Sequence, residues 1–250
     1  NMISRQAGAG ENYDIRPNQV LTYTSYSVFN VHISILLGVL WMIFRLILSI
    51  IFFSVSAGFA AENYRLTILH TNDFHARFEP ISKYDSACGV TDNAEGKCFG
   101  GSARLVTAIE LARQRNPNSI LVDDGDQFQG TLFYTYYKGQ LAAEMMSQLG
   151  YDAMTVGNHE FDDGPEVLSG FIDAVTFPVL MSNADIRAEP RLLGKLAKSA
   201  VIERGGEKLG LIGLTPVDTR DLASPGDNTS FTDPVTAVQR EVDELTAKGV

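Results

Sequence analysis

Ser119-Ile120-Leu121-Val122-Asp123-Asp124-Gly125-Asp126 is a short apolar run that ends abruptly in acidic residues around a glycine. Residues 119–122 read as a fully apolar strand, and the acids mark where it leaves the sheet. Before it, residues 101–116 carry Leu105, Ile109 and Leu111 with Ala103, Ala108 and Ala112, a helix stopped by Pro117. Earlier still, residues 65–70 alternate apolar and polar side chains and read as a strand running into Thr71-Asn72-Asp73. After it, residues 140–149 read as a helix capped by Gly150, and 152–156 as a buried strand ending in Gly157-Asn158-His159-Glu160. A helix over 165–175, a strand over 178–181, a hairpin around Gly205-Gly206 and a helix over 234–248 follow. Strands alternating with helices predict a layered α/β fold with a central sheet.

Length suits one large α/β domain or two small ones, and composition excludes several classes. The chain has 250 residues, 45% of them hydrophobic, which is too apolar for a disordered chain, and its 22 glycines follow no collagen period. A net charge of −10 argues against a general nucleic-acid binder, which needs cationic contacts to phosphates. Two cysteines are too few for a disulfide-dense scaffold. The charge is unevenly spread. Residues 1–61 hold only Arg5, Glu11, Asp14, Arg16 and Arg45, which leaves 17 of the 20 basic and 28 of the 30 acidic side chains to the rest, a net of −11.

That first quarter reads as an address. Residues 33–57 are almost wholly apolar except for Arg45. As a retained membrane anchor the segment is long enough, but Arg45 would sit inside the bilayer at a cost of about 2.5–3.5 kcal/mol. A start at Met42 removes that cost. Met42-Ile43-Phe44-Arg45 is then a positive n-region, 46–55 an apolar h-region, and Ser56-Ala57-Gly58-Phe59-Ala60 a small-residue cleavage region. The expected organisation is therefore a leader over 1–41, a signal peptide over 42–60, and one domain over 61–250.

The polar clusters fall at strand ends. Asp73 and His75, then Asp126, then Asn158 and His159, follow three successive strands. In open α/β sheets ligands bind just outside the carboxyl ends of strands. Oxygen and nitrogen side chains converging there suit a divalent cation. Asp73-x-His75 can grip one ion from a single loop, and Gly125 and Gly157 let the backbone turn sharply. Each piece alone is an ordinary turn; their order is the signal.

These motifs resemble the calcineurin-like metallophosphoesterases. The wider strings Leu69-His70-Thr71-Asn72-Asp73-Phe74-His75, Gly125-Asp126-Gln127-Phe128-Gln129-Gly130-Thr131 and the run from Tyr151 to Asp162 are similar to the animal 5′-nucleotidases and apyrases within them. The resemblance implies an α/β/β/α sandwich, helices flanking central sheets, and a secreted or cell-surface enzyme. It implies hydrolysis of AMP, or of ADP and ATP, by a two-metal, metal-hydroxide mechanism. Asp73, His75, Asp126 and Asn158 would hold two divalent ions, with Asp126 bridging; Zn is the first expectation, with Mn, Co and Fe admitted by the same ligands. His159 would stabilise charge developing on the phosphate and protonate the leaving oxygen, and Asp162 would orient its ring. A non-catalytic, secreted nucleotide-binding protein is the rival reading.

Other residues take plainer roles. His70 is expected as a core or supporting group, Asp123 and Asp124 as turn and supporting residues, Glu160 as a loop anchor, and Tyr134-Thr135-Tyr136-Tyr137 as amphipathic packing. A secreted route and the resemblance together imply a Cys88–Cys98 disulfide, against free thiols in a reducing compartment. Asn228-Thr229-Ser230 is a glycosylation sequon. His159 is the last of the four histidines, whereas members of the family place further histidine ligands later in the chain. The expectation is an N-terminal fragment that alone binds metals weakly and turns over poorly, with a second domain, any C-terminal membrane anchor and any homodimer contacts lying beyond Val250.

Overall fold

The structure, a computed structural model, describes residues 37–47 and 63–250. Residues 37–47 form a helix exposed along its length, in which Arg45 stacks over Trp41 at 3.5 Å. The remainder of the leader and residues 48–60 of the expected signal peptide lie outside the described residues. No helix among the described residues is long and apolar enough to cross a membrane.

Residues from Tyr64 to Val250 form a separate compact unit. Its centre is a parallel sheet of four strands in sequential order: β1 (Thr67–Thr71), β2 (Ser119–Asp123), β3 (Ala153–Thr155) and β4 (Val179–Leu180). Helices α1 (Val90–Ala94) and α2 (Ser102–Arg115) connect the first pair, and α3 (Leu132–Tyr137) and α4 (Gln140–Leu149) the second. A 3-10 turn, His159–Phe161, and α5 (Gly164–Ala174) connect the third. Beyond β4 come β5 (Ala184–Asp185), the hairpin strands β6 (Ser199–Arg204) and β7 (Glu207–Ile212), α6 (Thr219–Leu222), β8 (Ser230–Phe231) and α7 (Pro234–Ala247). The last part forms two antiparallel pairs, β5 with β8 and β6 with β7.

Local chemistry explains most boundaries. In α4, Ala142, Ala143, Met146 and Leu149 recur on one buried face, and Gly150 ends the helix at a left-handed φ of 66°. Arg113 of α2 donates to the last carbonyls, reaching Gly150 O at 2.7 Å. The β6–β7 hairpin turns on Gly205 and Gly206 at φ of 58° and 85°, the conformation a two-residue hairpin turn requires. Asp233 caps α7 by accepting from Thr236 N at 2.7 Å, with Pro234 at the first turn.

The core lies between the sheet and the helices. Leu121, Met154 and Val179 from the strands meet Ile109, Met146, Leu168 and Phe171 from the helices. Phe171 is fully buried and meets Phe128 edge-on at 5.4 Å. Phe171→Ala is expected to destabilise the domain by about 3–5 kcal/mol, read as a lowered urea midpoint. A loss under about 1 kcal/mol would mean that α5 does not dock as described.

One expectation changes. His70 is exposed rather than in the core, because the β1 alternation turns Leu69 toward the helices and Ile68 and His70 to the opposite face. The aromatic run around Tyr134 is a helix, which its composition disfavours. Thr131 caps it by accepting from Phe133 N, Tyr134 is buried, and Tyr136 and Tyr137 remain exposed.

Candidate functional site

The loops after β1, β2 and β3 meet at one end of the sheet, and hydrogen bonds between their backbones fix their spacing. Asp73 N donates to Gly125 O (3.1 Å), His75 N to Asp126 O (3.1 Å) and Asp124 N to Thr71 O (2.9 Å). Asp73, His75 and Asp126 sit at φ of 52°, 49° and 57°. Left-handed backbone at non-glycine residues persists only where surroundings over-determine it, and Asp and His are among the residues that tolerate it best. Glycines make the close approaches possible. A Cβ on Gly157 would lie 2.2 Å from Asp126 Oδ1, and one on Gly130 2.2 Å from His75 O.

The two histidines are each held by one nitrogen. His75 Nδ1 lies 3.0 Å from Phe128 O, a carbonyl that can only accept, so Nδ1 carries the proton and Nε2 is left as a free electron pair. His159 Nδ1 lies 2.7 Å from Asp162 Oδ2, which leaves its Nε2 free in turn. The rings meet edge-on with centroids 4.9 Å apart. Ligand atoms of His75, Asp126 and His159 all lie within 4.8 Å of one another, and Asp73 Oδ1 is 3.7 Å from His75 Nε2. His159 N also donates to Asp126 Oδ1 at 3.0 Å, tying the third loop to the second. Imidazole nitrogen with carboxylate oxygen, all half-exposed, is a donor set that fits a divalent transition metal.

Glu160 holds the site from beneath. It is fully buried, and its Oε2 accepts from Asp126 N (2.9 Å) and Gly157 N (2.8 Å) while Oε1 accepts from Gln127 N (2.8 Å) and Phe128 N (3.3 Å). Burial pushes its carboxyl up to about 7 against the pull of these amides, and burial likewise raises Asp123 to about 7. For His159 burial works against the charged ring, but the Asp162 hydrogen bond and the surrounding carboxylates raise its pKa on balance. Each of the three groups holds its proton more tightly folded than unfolded. The stabilisation this gives is present at low pH and lost as pH rises toward and past neutrality. The urea midpoint of the metal-free protein is therefore expected to fall between about pH 4 and 7, from the usual carboxyl values to the raised ones; a midpoint that rises with pH across that range would contradict these environments.

The structure brings Asp73, His75, Asp126, Asn158, His159 and Asp162 to one end of the sheet. Asn158 is half-buried at the start of the 3-10 turn. That turn carries His159 into the same cluster as His75 and Asp126. Asp124 is exposed, whereas Asp123 is buried beneath the loops. Cys88 and Cys98 form a disulfide outside the cluster. Asn228 and Ser230 are exposed and Thr229 is buried. Sequence reasoning gave no role to Gln127, Thr71 or Tyr151, which pack around Asp123. The signal available for Gln127 was its place directly after Asp126, where a polar side chain buried to 1% must bond inward.

Residues 66–241 match the family described as Calcineurin-like phosphoesterase. The chain is 45% identical over 202 residues to a 5′-nucleotidase of Diplobatis ommata, covering 78% of this chain and 33% of the relative. It is 40% identical over 184 residues to an apyrase of Tabanus yao, covering 74% of this chain and 32% of that protein. Among solved structures, a 5′-nucleotidase precursor from Thermus thermophilus superposes with a TM-score of 0.67 at 43% identity, over 74% of this chain and 35% of that one. The chain thus spans about a third of the length of the curated relatives it matches.

Proposed function

This chain belongs to the calcineurin-like phosphoesterase family, and on that premise we propose that it carries the metal centre of a 5′-nucleotidase. The reaction is hydrolysis of a nucleoside 5′-monophosphate to nucleoside and phosphate. The observation that carries the reading is the convergence of His75, Asp126 and His159 within 4.8 Å, with His159 held through Nδ1 by Asp162. The names of similar proteins support the choice of substrate class.

Asp73, His75, Asp126 and Asn158 would hold two divalent ions, Zn, Mn, Co or Fe. Such ions supply Lewis acidity and a water acidic enough to attack phosphorus near neutral pH. The residues do the rest. His75 presents Nε2 in a fixed tautomer because Phe128 O holds the other nitrogen. His159 presents Nε2 toward the cluster, and the Asp162 hydrogen bond favours the charged ring that carries a proton there. As water adds to phosphorus and the bond to the 5′ oxygen breaks, that proton passes to the leaving oxygen, giving a neutral nucleoside hydroxyl. Asp162 keeps the ring oriented and stabilises its charged form.

A second reading, an apyrase acting on ADP and ATP, is supported by the similarity to the Tabanus yao protein. The Cys88–Cys98 disulfide supports secretion or display at the cell surface, with 42–60 as signal peptide. The exposed Asn228 belongs to the same proposal as a glycosylation site. The test is phosphate release from AMP, ADP and ATP by the full-length protein, with and without a chelator. Release from AMP that chelation abolishes and Mn2+ or Zn2+ restores is the expected result. Chelator-insensitive or absent release would favour a nucleotide-binding protein, and preference for ADP and ATP would favour the apyrase.

A further inference from the structure

Asp123 ends β2 and is 2% exposed, yet both of its oxygens are engaged. Oδ1 accepts from Gly125 N at 2.9 Å, and Oδ2 accepts from Gln127 Nε2 at 2.8 Å and from Thr71 Oγ1 at 2.5 Å. When Asp123 is ionised the Thr71 proton is committed to the carboxylate, and in the 2.7 Å contact between Thr71 Oγ1 and Tyr151 Oη the phenol then donates. The hydrogen bonds therefore run one way, from Tyr151 to Thr71 to Asp123. They tie the end of β1, the end of β2 and the approach to the third strand at a single carboxylate.

What this carboxylate holds is specific. Gly125 and Gln127 flank Asp126, and Thr71 lies two residues before Asp73. Gln127 is bound from two sides, its backbone N–H by Glu160 and its side-chain amide by Asp123. Asp126 is thus bracketed at the left-handed φ of 57° that its backbone would not hold unaided. Only a carboxylate can do this. An asparagine has one acceptor atom, so it must turn an NH2 toward either the Gly125 N–H or the pair of donors on the other oxygen. A tie serving stability alone has no need of a buried acid, whose desolvation is costly.

We propose that Asp123, with Thr71 and Tyr151, is a positioning group that sets the separation of the Asp73 and Asp126 loops and thereby the affinity of the site for cations. The proposal rests on the metal-centre reading above. It makes these residues supports of the ligands, not ligands.

The test is titration of the metal-free full-length protein with Mn2+ alone by calorimetry, alongside thermal unfolding without metal. Asp123→Asn is expected to weaken Mn2+ binding by about 10–100-fold, the usual effect of removing a partner that orients metal ligands. Thr71→Val is expected to share the loss, and Thr71→Ser, which restores the hydroxyl, to recover it. If Asp123→Asn does not fold, the Thr71 pair decides. Variants that melt earlier but bind Mn2+ within about twofold of the parent would overturn the proposal, because a purely structural cluster predicts that outcome. A parent chain that fails to bind Mn2+ would instead overturn the metal-centre reading, and the proposal with it.

Discussion

In the full-length protein, His159→Ala is expected to lower phosphate release by roughly 10²–10³-fold, the loss that follows removal of one group stabilising transition-state charge. The fold should not share in that loss. The side chain is about one-third exposed and packs edge-on against His75 and bonds Asp162, with no part in the apolar core. The loop is anchored by its neighbour Glu160 and by the backbone N–H of His159 on Asp126 Oδ1, neither of which the substitution removes. Asp162→Asn is the informative companion. It leaves the imidazole in place but weakens the group that keeps Nδ1 protonated, so it too should slow turnover with unchanged folding. An unaltered rate in His159→Ala would remove His159 from the reaction.

Gly157→Ala is expected to be nearly as severe for a different reason. Its Cβ would lie 2.2 Å from Asp126 Oδ1 and 2.7 Å from Asp126 N. The second contact is with backbone, so a rotamer change cannot relieve it, and the loop carrying Asp126 must move. Displacement of a reacting constellation by about 1 Å can cost about 10²-fold in rate, while overpacking at one position typically costs about 1–3 kcal/mol of stability. The variant should therefore fold and lose most activity and metal affinity. Gly89→Ala is the control, since nothing lies within 4 Å of a Cβ there and its φ is −68°. Equal activity in the two variants would mean that Asp126 is not held where the structure holds it.

The sequence disclosed the elements whose signals are local. The apolar run of β2, the buried face and glycine cap of α4, and the Gly205-Gly206 turn are all written in adjacent residues. The site was legible as far as its order along the chain, because strand ends marked by Asp, His and Asn are also local. What was hidden depends on packing between distant segments. The left-handed backbone at Asp73, His75 and Asp126 leaves no compositional trace beyond residue types that tolerate it. The tautomer of His75 depends on a carbonyl 53 residues away. The Tyr151–Thr71–Asp123 chain spans 80 residues and looks like unrelated polar positions until the strands are aligned. His70 misled for the same reason: whether its face of β1 is covered depends on which side of the sheet the helices take.

If the loops after three parallel strands form a divalent-metal centre that includes Asp126, removal of its carboxylate must abolish cation binding. Calorimetric titration of Mn2+ into the metal-free full-length protein and into its Asp126→Ala variant reads this out. Saturable binding to the parent and loss of that binding in the variant, with both proteins folded, is the expected result. Indistinguishable isotherms for the two would contradict it.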